Sequence, residues 1–423
     1  MRFGQVETMR DREPLRESDR QRQFQLLTLH YGLYQLSTAM AGGFAGAYLL
    51  KLGFSFPTAL CAYAALLIMR FGLRFIALAL VRKLGPQAVI LLGAALAAAQ
   101  FLPLIRADRP TWLMSWLVIV ALAESLYWPV YHAAVAVTGA GSSRGRELGV
   151  RTAVGAIVGV LGPLSGGVLL ERFGAAADFV IAAAFCMASM LPLLSMTGIR
   201  VGPIPSARES LQSIDLLGVT AFAADGWMAS GLALAWPMVL FISLGFRYEA
   251  FGVANALAGL AGAATGLACG GSIDRGRRDR YLIVVSSALS LGFAVRACAS
   301  WSPLAATIAN ATGAAVMGLY VPVLMSVIYE RAKQSGAAYR FHFAAEAGWD
   351  VGASLGCLVG AAVAWATAEP SLAIIPAALG VWVVYWCVRF QASPAKSNLN
   401  APDAVRKDDR CDVQLTRKVE ALD

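Results

Sequence analysis

From about residue 26 to about residue 390 the chain is a succession of apolar runs. Each is near the roughly 20 residues that an α-helix needs to cross a bilayer. Hydrophobic residues make up 58% of the sequence and charged residues 14%, against about 25% charged in a soluble domain. Lipid is therefore the main solvent this chain is built for. No strand-type alternation appears, so helices are the element that can satisfy the backbone there. The polar breaks divide the runs into twelve spans. The first six lie at roughly 26–50, 57–81, 86–105, 111–138, 149–171 and 175–197. The last six lie at roughly 214–244, 250–272, 281–300, 303–328, 341–366 and 371–390.

The spans fall into two similar sets. Leu126, Tyr127 and Pro129 reappear as Leu319, Tyr320 and Pro322, each 193 positions later. The same spacing relates Gly155 to Gly348, Gly159 to Gly352 and Gly167 to Gly360. Leu52-Gly53-Phe54 returns as Leu244-Gly245-Phe246 at a spacing of 192. A repeat of this length means two copies of one structural unit. The expected organisation is a tail over 1–25, a six-helix half over 26–197, a polar linker over 198–213, a second half over 214–390, and a polar, disordered tail over 391–423.

The net charge of +9 is a topology signal. With the N-terminus inside, the inner loops carry fourteen Lys and Arg and the outer loops five. Positive residues favour the cytoplasmic side, so both termini are expected there, in a bacterial-type plasma membrane. Neither a nucleic-acid partner nor a particular oligomer is needed to account for the charge. The seven cysteines show no CxxC or other ligand spacing. No metal site, disulfide framework or cofactor is expected. Nor is there a nucleophile-and-base constellation or phosphate-cradling loop, so an enzyme is not expected.

Two local motifs carry a family resemblance. Gly162-Pro163-Leu164-Ser165-Gly166-Gly167 in the fifth span is similar to a GPxxGG motif. Gly270-Gly271-Ser272-Ile273-Asp274-Arg275-Gly276-Arg277-Arg278, after the eighth span, is similar to a GxxxDRxGRR loop with one residue missing. With the two six-helix sets, these resemble the major facilitator superfamily of secondary transporters, and the first motif its drug:proton antiporters especially. The first-half copy of the loop departs from the pattern, with Arg82 where the acid would stand. The resemblance implies twelve transmembrane helices in two pseudo-symmetric halves. Spans 1, 4, 7 and 10 would line a central cavity. Spans 2 and 11, and 5 and 8, would meet between the halves.

Small residues at steps of four fit such meeting faces, because they let backbones approach closely. The expected stripes are Gly155, Gly159, Gly162, Pro163, Gly166 and Gly167 in span 5, Gly262 and Gly266 in span 8, and Gly348, Gly352, Gly356 and Gly360 in span 11. At the corresponding positions of span 2 stand Arg70 and Arg74. Its expected neighbour, span 11, carries Glu346 and Asp350. Charges inside a membrane require partners, so Arg74 is expected to pair with Asp350, and Arg70 or Arg74 with Glu346. These residues, together with Asp274 and Arg275, are candidate gate charges between the halves. A static buried ion pair is the alternative.

Glu124 and Asp225 lie near the middle of spans 4 and 7. Their repeat counterparts are Met317 and Leu33, so the shared scaffold does not need them. A carboxylate in a dry cavity is a group type that takes up and releases protons as its surroundings change. Glu124 is the first candidate for proton coupling or substrate contact and Asp225 the second. A carboxylate hydrogen-bonded to neighbours, without a transport role, is the alternative. His132 and Tyr127 share the Glu124 face by helical spacing, and Tyr131, Tyr320 and Asn310 are further polar candidates. The functional expectation is alternating-access transport of a small organic molecule, with the proton as coupling ion and export by antiport. Uptake or facilitated diffusion of a metabolite is a second reading. A transporter-fold sensor or assembly protein is a third, favoured if the carboxylates are all held in ion pairs.

Overall fold

The structure is a computed structural model and describes residues 17–138, 144–196, 198–212, 214–269 and 278–392. Among the described residues the apolar runs are helical. The helix α1 spans Glu17–Met40 and continues, after a turn at Gly42–Phe44, as Ala45–Lys51. Next come α2 (Phe56–Leu84), α3 (Pro86–Leu104), α4 (Pro110–Thr138), α5 (Arg144–Arg172) and α6 (Gly174–Leu194). A short helix at Ala207–Gln212 precedes the second set. That set is α7 (Leu216–Ser243), α8 (Tyr248–Cys269), α9 (Arg278–Ala299), α10 (Pro303–Gln334), α11 (Ala338–Thr367) and α12 (Pro370–Arg389).

Among the described residues, eleven of these helices are long and apolar enough to cross a membrane. The twelfth, α1, opens in the polar stretch Glu17–Gln23 and breaks at Gly42. It starts at Glu17 rather than near 26, because Gln and Arg extend a helix readily.

The helix ends follow from local chemistry. Ser55 accepts from the Thr58 N–H, and Pro57 sits in the first turn of α2. Ser302 and Pro303 do the same for α10, with Ala305 as donor. Pro lacks the N–H that a first turn cannot use. A single residue, Gly85, joins α2 to α3 at φ 83°, a left-handed value that favours glycine. The repeat extends to the breaks: α1 is interrupted at Gly42–Phe44 and α7 at Ser230–Ala235.

The outer surface is apolar, with Leu161, Leu191, Leu260 and Leu291 all exposed, as lipid contact requires. Trp112, Trp301 and Trp365 are exposed at the end of the bundle opposite the start of α1, where indoles suit a membrane interface.

The halves meet along α2 with α11 and α5 with α8, but the glycine stripes are distributed otherwise than expected. On α5, Gly159 lies against Gly259, while Pro163 and Gly167 lie against Gly252. A Cβ on Gly252 would stand 2.3 Å from the Pro163 carbonyl oxygen. Gly162 and Gly166 instead receive α1, at Ala39 and Met40, and Gly155 has open space around it. On α8, Gly262 and Gly266 face Ala314 and Gly318 of α10, within their own half. On α11, Gly348, Gly352 and Gly356 seat α7 at Val219, Ala223 and Ser230. Gly360 alone of that set reaches the other half, at Leu60. The stripe of α11 thus packs its own half, and its opposite, polar face meets α2.

Candidate functional site

Arg70 and Arg74 stand one turn apart on α2 and are 4% and 1% exposed. Asp350 of α11, fully buried, sits between them. Arg70 donates from Nε to its Oδ1, and Arg74 donates from Nε to its Oδ2 at 2.6 Å. Arg70 also donates from Nη1 to Glu124 of α4. Arg74 lies 3.5 Å from Glu346. Arg74 thus meets both α11 acids, and Arg70 takes Glu124 as well as Asp350. Their placement on facing helices makes this pairing a bond between the two halves.

The balance of this cluster is informative. Two guanidinium groups face three carboxylates. Their side chains differ in access, with Asp350 at 0%, Glu346 at 9% and Glu124 at 30% exposure. Glu124 is therefore the acid of the cluster that a solute can reach most directly.

Asp225 is joined to the cluster through one indole. Trp349 of α11 donates from Nε1 to Asp225 at 3.1 Å, and the Arg70 guanidinium lies 4.8 Å over its ring. The buried Tyr320 hydroxyl lies on the Asp225 carboxylate. The two candidate carboxylates, from different halves, are thus two side chains apart.

Toward the end of the bundle where α1 starts, the site continues in rings. His132 on α4 stacks on His342 of α11 at 5.4 Å and meets the Tyr329 hydroxyl at 3.0 Å. It also approaches Glu346 at 3.6 Å. Arg151 of α5 lies over Tyr31 and Tyr131. His132 is thus placed between the halves.

Tyr131 joins it under Arg151, but Tyr127 does not. Tyr127 stacks on Tyr34 at 4.2 Å, and its hydroxyl meets His30 Nε2 at 2.8 Å. His30 Nδ1 lies 2.8 Å from the Ser189 carbonyl. That carbonyl can only accept, so Nδ1 carries the proton and Tyr127 donates to Nε2. These rings tie α1, α4 and α6 into one half, and Tyr127 is fully buried there. Asn310 is likewise engaged, accepting from Trp236 Nε1 and donating to the Ala254 carbonyl. Both residues hold helices of one half together, contrary to a free cavity position. Asp274 and Arg275 lie outside the described residues.

Sequence reasoning missed Trp349, Tyr329, His342 and Arg151. A signal existed for one of them. His342, Glu346 and Asp350 repeat at steps of four along α11, which puts them on one face. Arg151 counted only as a loop charge, and nothing in its sequence surroundings points to the tyrosines it covers.

Comparisons with known proteins agree on the fold. Residues 27–356 match the sequence pattern of the Major Facilitator Superfamily. A comparison with curated protein sequences gave no match. Among solved structures, the human organic anion transporter MFSD10 superposes at a TM-score of 0.63 with 16% identity, covering 87% of this chain and 99% of that one. The nucleoside transporter NupG gives 0.62 and 14%, with 88% and 100% coverage. The Escherichia coli fucose:proton symporter FucP gives 0.61 and 17%, with 88% and 98% coverage.

Proposed function

Since the chain belongs to the Major Facilitator Superfamily, a family of multi-pass membrane transporters, we propose that it exports a small organic molecule by proton-coupled antiport. The observation that carries this reading is the excess acid between the halves: Glu124, Glu346 and Asp350 against Arg70 and Arg74. One carboxylate more than the guanidiniums can neutralise is a natural place for a proton. Glu124 has the access for it. Protonating Glu124 removes its attraction for Arg70 and leaves that guanidinium to Asp350 alone. Ionising it draws Arg70 back toward its own half and loosens its hold on Asp350 across the seam. Proton occupancy and separation of the halves are linked in this way, as coupled alternating access needs. Asp225, through Trp349, supplies a second polar contact for substrate.

The choice of export rests on the Gly162–Gly167 motif, and the cytoplasmic placement of the termini rests on the excess of Lys and Arg in the inner loops. Uptake with a proton is a related reading; FucP, of the same fold, is a proton symporter. A non-transporting sensor is favoured by one observation, namely that Glu124, Glu346 and Asp350 all have guanidinium partners.

Purified protein in liposomes with an internal pH-sensitive dye separates these readings. A panel of cationic, neutral and anionic compounds is added to wild type and to Glu124→Gln. The expected result is compound-dependent proton movement that the variant loses, with its direction giving antiport or symport. Proton movement retained in the variant overturns the role of Glu124. Compound flux without proton movement overturns coupling.

A further inference from the structure

Arg296 has no part in the network above, and its surroundings are of a different kind. It sits on α9, three residues from the end at Ala299. It is 4% exposed. Its guanidinium lies 5.3 Å over the ring of Trp236 on α7. Its Nη2 occupies the space a side chain would need on α10, 2.1 Å from a Cβ built at Gly313. Among the described residues it has no carboxylate partner, and its Nε is sealed from solvent without an acceptor.

The platform beneath it is built rather than incidental. Trp236 is 2% exposed, and its Nε1 donates to Asn310 at 2.9 Å. Asn310 in turn donates to the Ala254 carbonyl at 3.2 Å and meets the Asn255 side chain at 3.3 Å. The indole is thus pinned by α8 and α10 with its face toward Arg296. At the 193 spacing, the first-half residues corresponding to Arg296 and Gly313 are Pro103 and Val120. The shared scaffold therefore calls for neither the cation nor the gap.

A buried cation without a counter-charge is costly in a membrane protein, and intramembrane charges of this kind mark ligand positions. Cation–π contact offsets part of that cost. It also holds the guanidinium by its face and leaves the N–H donors at its edge free. That edge matches two oxygens of one oxyanion.

We propose that Arg296, on its Trp236–Asn310 platform, binds an oxyanion, a carboxylate or phosphate group. The group is either part of the transported molecule or a resident inorganic ion. Only the first alternative rests on the transport reading above, where it would make the substrate an organic anion.

The test reads binding first and transport second. Thermal unfolding of the full chain in detergent is followed at constant pH against rising acetate or inorganic phosphate, for wild type, Arg296→Gln and Arg296→Lys. Expected is a saturable rise in Tm of several degrees for wild type, a weaker one for Arg296→Lys and none for Arg296→Gln. Arg296→Gln without anion is expected to be at least as stable as wild type, since it removes an uncompensated charge. No saturable rise in wild type, or an equal rise in wild type and Arg296→Gln, overturns the proposal. If Arg296→Gln does not fold, wild type against Arg296→Lys decides it in the same way. Liposome uptake of labelled mono- and dicarboxylates then assigns the source. Flux in wild type with KM raised at least tenfold in Arg296→Lys assigns the group to the substrate. Anion stabilisation without such flux assigns a resident ion, and the site stands apart from the transport reading.

Discussion

The two seams between the halves occupy equivalent places in the pseudo-symmetric fold and are made of opposite chemistry. Where α5 meets α8, backbone touches backbone at Gly159 with Gly259 and at Pro163 and Gly167 with Gly252. Where α2 meets α11, two arginines and two acids fill the seam, and α4 adds a third acid. A glycine seam has no side chains to rearrange, so it suits close sliding contact that persists. A charged seam changes in strength with a proton or with another ion. On the transport reading proposed above, the glycine seam is the pivot and the charged seam the switch.

The largest expected effect falls on the charged seam. Asp350→Asn strips the shared carboxylate from two buried guanidiniums. Breaking a buried pair by removing one partner costs roughly 3–5 kcal/mol. Expression and Tm in detergent should fall sharply, and Arg74→Gln combined with Asp350→Asn should recover part of the loss. If the double variant is no better than the single one, the seam is not held by this pairing.

Next is the glycine seam. Gly252→Val would drive a side chain into the Pro163 carbonyl, an overpacking cost of about 1–3 kcal/mol. Gly155→Val, on the same seam's α5 but with open space around it, should leave Tm and transport near wild type. Equal behaviour of the two variants would break the pivot side of the comparison.

The smallest effect is at the last turn of α5, where Arg172 donates to Glu249 at 2.7 Å and is 66% exposed. Such surface pairs contribute about 0–1 kcal/mol and are screened by salt. Arg172→Ala should change Tm by no more than a degree or two, and raising the salt should erase the difference. A large effect there would show that the α5 and α8 seam also depends on charge.

The Asp350 and Arg74 pair was legible because a membrane leaves few places for charge, and the rise per residue put both at matching depth. Depth and spacing along a helix are properties of the chain alone. Which way a helix is turned about its own axis is not. Gly348, Gly352 and Gly356 were rightly seen as one stripe, but the stripe packs α7 rather than the other half. The same freedom hid Tyr127, whose ring turns inward to His30 and Tyr34, and Trp349, whose ring bridges Asp225 and Arg70.

By itself, then, the sequence determined twelve helices, their order, their two-fold repetition and the depth of Arg70, Arg74, Glu124, Asp225, Glu346 and Asp350, since these follow from hydropathy and the 1.5 Å rise per residue. Only the tertiary structure decided which faces meet. Helix rotation is set by the sum of many side-chain contacts made with residues distant in the chain. That sum left Arg70 and Arg74 sharing three acids while it placed Arg296 on an indole with none.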